Sequence, residues 1–197
     1  MMHFQKNSDS AIIVLHEIYG VNRHILDFGR ALSDYGFDVF CPNVFNQETT
    51  FDYADEKAAY THFTENVGFV DASQKIKTII SQLKNRYQKV IIVGFSVGAT
   101  AAWLCSEEDH VSGMVGYYGS RIRDYLDMTP ACPVMLFFPE EERSFCVDEL
   151  RAALKEKGIE THKLAGLHGF ADPYSMTYDR QSAQTAFGHM MRFLKGL

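Results

Sequence analysis

The chain has 197 residues, 46% of them hydrophobic and 22% charged, with a formal net charge of −6. That length supports one sizeable core rather than two, and the composition is that of an ordinary globular chain. The mild acidity, with basic residues dispersed along the chain, leaves no positive field to hold phosphates and excludes a nucleic-acid partner.

The N-terminal residues enter a strand-like segment within a few positions. The continuous apolar runs over 11–15 and 37–40 then predict buried strands. A helix is predicted over 71–86, where Ile76, Ile79, Ile80 and Leu83 share one face while Lys75, Lys77, Gln82 and Lys84 face water. A β-branched strand over 89–93 leads into a run of small residues suited to a helix. Strands over 111–116 and 133–138 follow. A helix over 148–157 carries Leu150 and Leu154 four apart, and Gly158 stands where a helix C-terminal glycine belongs. The last elements are a strand over 159–164 and a helix over about 178–194 with Ala183, Phe187, Met190, Met191 and Leu194. This alternation predicts a single three-layer α/β domain over 1–197, with a mostly parallel central sheet. In such sheets ligands bind beyond the carboxyl ends of the strands.

No apolar run approaches a bilayer-spanning length, and the N-terminus lacks a signal-peptide apolar core, so no membrane association and a cytoplasmic location are expected. Cys41, Cys105, Cys132 and Cys146 are widely spaced and match no zinc pattern. They read as buried, reduced thiols.

Gly94-Phe95-Ser96-Val97-Gly98 follows the strand over 89–93 and precedes the helix-compatible run. A strand–turn–helix with Gly-x-Ser-x-Gly is the setting in which a serine is held on a sharp turn, its hydroxyl raised into the cleft. The following helix then aims its positive end at developing negative charge. Ser96 is therefore the candidate nucleophile, and it needs a base. Among the histidines that follow it, His110 lies in a short link, His162 inside a predicted strand and His189 inside the last helix. His168 lies just past the carboxyl end of a strand, between Gly166 and Gly169, and is the candidate base. The acid should leave the strand over 133–138, where Glu140, Glu141 and Glu142 are adjacent. Sequence distance favours Glu142, with Asp148 as the fallback.

Four ordered segments resemble the dienelactone hydrolase family of α/β-hydrolases: His16-Glu17-Ile18-Tyr19-Gly20, the 94–98 turn, Gly116-Tyr117-Tyr118-Gly119 and His168-Gly169-Phe170. The resemblance covers about residues 11 to 195. It implies the α/β-hydrolase fold, an oxyanion hole from the Ile18 and Val97 amides, and an acid at Glu142. Three departures stand out. Family members usually have Asp at the acid position. The name-giving enzyme uses a cysteine nucleophile, assisted by the glutamate matching Glu17, whereas serine stands here and Glu17 is left to orient the cleft and contact substrate, or is vestigial. Asp172 replaces an arginine that binds the substrate carboxylate, and an acid there would repel such a substrate, so dienelactone specificity is not carried over.

The expected chemistry is hydrolysis of a small carboxylic ester or lactone through an acyl-Ser96 intermediate, without metal or cofactor. Tyr19, Tyr60, Tyr117, Tyr118 and Phe170 are expected to line an aromatic cleft, and the chain leaves room for only a minimal lid. A thioesterase, lipid esterase or peptidase on the same residues, or a catalytically silent ligand-binding homologue, are the other readings. Monomer and homodimer remain open.

Overall fold

In a computed structural model that describes residues 1–45 and 50–197, the apolar runs pair into one sheet. Among these residues the strands are β1 (Met2–Phe4), β2 (Ser10–Leu15), β3 (Asp38–Cys41), β4 (Lys89–Phe95), β5 (Gly113–Tyr117), β6 (Val134–Pro139) and β7 (Glu160–Leu164). Their order is β1-β3-β2-β4-β5-β6-β7; β1 runs antiparallel to β3 and every other pairing is parallel.

The alternation of side chains explains why the central strands are apolar throughout. Ile12 and Val14 of β2, with Ile91 and Val93 of β4, pack on one face; Ile13, Leu15 and Ile92 pack on the other. Two helices cover the first face: α1 (Arg23–Asp34) through Ile25 and Leu32, and the C-terminal α6 (Arg180–Gly196) through Ala186, Met190 and Leu194. The opposite face carries α2 (Glu56–Asn66), α3 (Gly68–Leu83), α4 (Val97–Cys105) and α5 (Val147–Glu156). This is the expected three-layer architecture.

The predicted elements recur with ends shifted by one to three residues. Helix α3 begins at Gly68, three residues early. Gly158 follows α5 with φ +75°, the left-handed conformation of a helix C-terminal glycine. Helices α1 and α2 had no sequence counterpart. The former starts at Asn22, whose side chain accepts the Ile25 amide at 3.2 Å. The thiols depart from expectation: all four are free, but only Cys41 and Cys105 are buried, while Cys132 is half-buried and Cys146 exposed. Among the described residues no helix is long and apolar enough to cross a membrane.

After β2 the chain adds β3 on one side, then crosses to place β4 on the other. The carboxyl ends of β2 and β4 therefore flank the switch point of the sheet, where connections diverge and leave a crevice.

Candidate active site

Strand β4 ends at Phe95 and α4 starts at Val97, so one residue makes the whole turn. That residue is Ser96, with φ +51° and ψ −114°. A left-handed φ is strained for a side chain other than glycine, and the surroundings hold it there. The Ser96 amide donates to the Tyr117 carbonyl at 2.9 Å, while its own carbonyl accepts the Ala99 and Thr100 amides. The flanking glycines are steric necessities. A Cβ on Gly94 would run into the Gly98 carbonyl, and one on Gly98 would lie 2.5 Å from the His16 carbonyl oxygen.

The turn after β7 brings His168 over this serine. Gly166 and Gly169 adopt φ of +100° and +87°, and the Thr177 hydroxyl donates to the His168 carbonyl at 2.7 Å. His168 Nε2 lies 2.8 Å from Ser96 Oγ, and Nδ1 lies 2.6 Å from Glu142 Oε1. With Nδ1–H donating to the carboxylate, Nε2 is free to accept the serine hydroxyl proton. The Glu142 side chain is only 8% exposed, which keeps its charge close to the imidazole rather than in solvent. Burial opposes protonation of His168, but the hydrogen bond and charge of Glu142 outweigh it and raise its pKa above 6.5.

Other carboxylates near the strand end face elsewhere. Glu140 is exposed, Glu141 lies on the cavity rim, and Asp148 pairs with Lys163 at 2.7 Å and with Arg151 at 3.4 Å. Ser96, Ile18 and Val97 all border a cavity of about 480 Å³, within the usual size range for small-molecule sites. Val97 is the first residue of α4, where an amide has no carbonyl partner within the helix.

The aromatic residues divide. Tyr19 and Tyr60 line the cavity as expected. Tyr117, Tyr118 and Phe170 do not: they are 0–1% exposed and lie in the core. The Tyr117 ring packs between Phe95 and Phe137, at 4.7 and 4.9 Å. Tyr118 supports the His168 ring from behind at 4.9 Å and meets Phe170 at 5.4 Å. Asp172 also departs from expectation. It is fully buried and accepts the Tyr53 hydroxyl and the Tyr174 amide, so its charge is turned away from the open cavity.

Glu17 does reach the cavity, yet it is 5% exposed. Burial, reinforced by the charge of Asp172, pushes its pKa up to about 7. The sequence pattern does not reveal Tyr53, Arg121, Arg123 and Arg143, which also line the wall. None lies in a motif; Tyr53 meets Asp172 across 119 positions, a pairing with no local signal.

Comparison with known proteins places these features in context. The family described as "Dienelactone hydrolase family" matches residues 2–197. The "Uncharacterized protein YczH" of Bacillus subtilis (strain 168) is 44% identical over 172 residues, covering 86% of this chain and 84% of its own. A Pseudomonas putida carboxymethylenebutenolidase is 25% identical over 202 residues, covering 94% of this chain and 85% of its own. Among solved structures, Est1E from Butyrivibrio proteoclasticus with bound ferulic acid superposes with a TM-score of 0.70 at 11% identity. That match covers 98% of this chain and 93% of Est1E.

Proposed function

The chain belongs to the dienelactone hydrolase family and is a carboxylic ester hydrolase of the α/β-hydrolase fold, and from that premise we propose that it cleaves its substrate through a serine acyl-enzyme. The observation that carries this reading is the unbroken chain from Ser96 Oγ through His168 to the Glu142 carboxylate, opening on the cavity.

In the proposed reaction Ser96 attacks the ester or lactone carbonyl while His168 Nε2 takes the hydroxyl proton. The Ile18 and Val97 amides hold the oxyanion, aided by the N-terminal end of α4. The imidazolium, stabilised by Glu142, returns its proton to the leaving oxygen. In a lactone that oxygen stays attached to the acyl group. Water, deprotonated by His168, then releases the acid and restores Ser96.

A lactone is one substrate, as the name of the Pseudomonas relative suggests, and small simple esters fit the same cavity. The position of a carboxylate-binding arginine is held by buried Asp172, so the dienelactone itself is not proposed. A soluble small-molecule substrate and a cytoplasmic location complete the reading.

A fluorophosphonate probe should label wild-type protein at Ser96. Ser96→Ala should lose labelling and about 10⁴-fold or more in kcat toward p-nitrophenyl acetate. Undiminished turnover in that variant would discard the mechanism. An unlabelled wild type whose melting temperature still rises with ligand would favour a silent binding protein.

A further inference from the structure

Behind the cavity wall three parts of the chain converge. Glu17 comes from the loop after β2, His24 from the first turn of α1, and Asp172 from the loop before α6. Their ligating atoms all lie within 4.8 Å of one another, and the residues are 5%, 1% and 0% exposed. Two carboxyl groups and an imidazole in so small and dry a volume are costly unless each is paired or compensated.

Well-formed hydrogen bonds compensate only Asp172. It accepts the Tyr53 hydroxyl and the Tyr174 amide, and its Oδ2 stands 3.5 Å from His24 Nδ1. Glu17 Oε1 and both ring nitrogens of His24 have no hydrogen-bond partner among the described residues. Tyr118 supplies an independent sign of an unfilled position. It is fully buried and its hydroxyl is turned toward Glu17, yet that hydroxyl too lacks a partner in hydrogen-bonding geometry. Glu17 Oε1, the His24 ring nitrogens and the Tyr118 hydroxyl are thus buried polar atoms without a well-formed hydrogen bond, a rare concentration in a folded interior.

We propose that Glu17, His24 and Asp172 form a binding site for one divalent transition-metal ion of the Zn²⁺ type. Two carboxylate oxygens and one imidazole nitrogen make a donor set that Zn²⁺ accepts, with a fourth position for water or the Tyr118 hydroxyl. Atoms within 4.8 Å of one another would have to draw closer together to sit about 2.0–2.2 Å from a common centre. The outer partners are already in place, since Asn22 donates to Tyr53 at 3.0 Å and Tyr53 donates to Asp172. Such contacts orient carboxylate ligands in metal sites. Glu17 borders the cavity, which gives the ion its entry path. A proton on Glu17 is the competing way to reduce the buried charge. The proposal is independent of the serine mechanism, since none of its residues belongs to the Ser96–His168–Glu142 chain.

The test uses the intact protein, stripped with chelator and dialysed against micromolar Zn²⁺, with bound zinc measured by elemental analysis. Wild type and Ser96→Ala should each retain one zinc per chain and gain in melting temperature. The near-isosteric Glu17→Gln and Asp172→Asn should bind roughly tenfold more weakly or worse and show no gain. A second trio, Glu160, His162 and His189, lies half-exposed on β7 and α6 and must be separated from the first. Loss of the zinc on His162→Ala, rather than on Glu17→Gln, would overturn the proposal, as would a wild type that retains none. X-ray absorption of the loaded wild type separates the two trios without variants: one imidazole in the coordination shell supports the buried site, and two refute it.

Discussion

His168 must be neutral to take the Ser96 proton, so its pKa sets the working range of the proposed enzyme. Burial lowers that pKa, but the hydrogen bond and charge of Glu142, with Glu17 and Glu56 further off, raise it more, to a value above 6.5. The acid limb of kcat/KM should therefore rise through a midpoint above 6.5 as pH increases. Glu142→Gln removes the charge and no longer fixes the imidazole tautomer. The limb should move to lower pH and kcat should fall by about 10³–10⁴-fold. Glu140→Gln, at an exposed neighbour, should leave both unchanged. A pH-rate series on the three proteins decides it, and a limb that stays fixed in Glu142→Gln would contradict the assignment. The placement of Ser96 and His168 at strand ends was legible in the sequence because glycines bracket them. Sequence distance favoured Glu142 as the carboxylate meeting the imidazole, but spacing alone did not separate it sharply from its neighbours, because the direction of each glutamate depends on the turn after β6. The fates of Tyr117, Tyr118 and Phe170 were not legible. A tyrosine beside a motif looks the same whether its ring faces a cavity or packs under it.

At the scale of elements, the site depends on how the loop after β2 is held. His16 follows that strand fully buried, and burial lowers its pKa to about 4, so the ring is neutral. Its Nδ1–H donates to the Glu17 carbonyl at 2.5 Å, and Nε2 accepts the Val44 amide at 3.0 Å. One ring thus ties the peptide that carries the Ile18 amide to the segment after β3. The His16 carbonyl also backs Gly98 of α4. His16 is not among the residues lining the cavity, and we propose that it acts as a positioning residue for the oxyanion amide. His16→Ala should lower kcat by roughly 10–100-fold with little change in KM, because a misplaced donor weakens transition-state binding more than ground-state binding. His16→Asn, whose side-chain amide replaces Nδ1–H, should recover most of the loss. Steady-state kinetics on the pair test this, and equal losses in both would leave His16 a packing residue. Strand β2 was easy to read because five consecutive apolar residues admit few alternatives. Helix α1 was harder. Its buried face includes His24, Gly29 and Ser33, so the apolar stripe that marks an amphipathic helix is interrupted.

Across the whole molecule, the alternation of strands and helices gave the three layers. The order of the strands was not read from the sequence, because no single residue marks which strands pair across the sheet. What alternation could not disclose is how the edge of the sheet is fastened, because those contacts are polar and distant in sequence. Asp38 opens β3 at 2% exposure. It accepts the Lys6 and Ser8 amides at 2.6 and 3.2 Å and the Tyr87 hydroxyl at 2.7 Å, and it lies 3.9 Å from His3 Nε2. One carboxylate so joins the N-terminal edge strand, β3 and the segment before β4. Burial pushes its pKa up, but these donors outweigh burial and hold it below 3.8. A folded-state pKa below the unfolded value means that the charged form stabilises the fold. That contribution is complete above the unfolded pKa of about 3.9 and is lost as pH falls through the folded value. Asp38→Asn keeps the shape but not the charge and should cost about 1–3 kcal/mol at pH 7. Thermal melts of the two proteins should differ fully at neutral pH and converge below about pH 4. A gap in melting temperature that persists unchanged into acid would place the role of Asp38 in packing instead of charge.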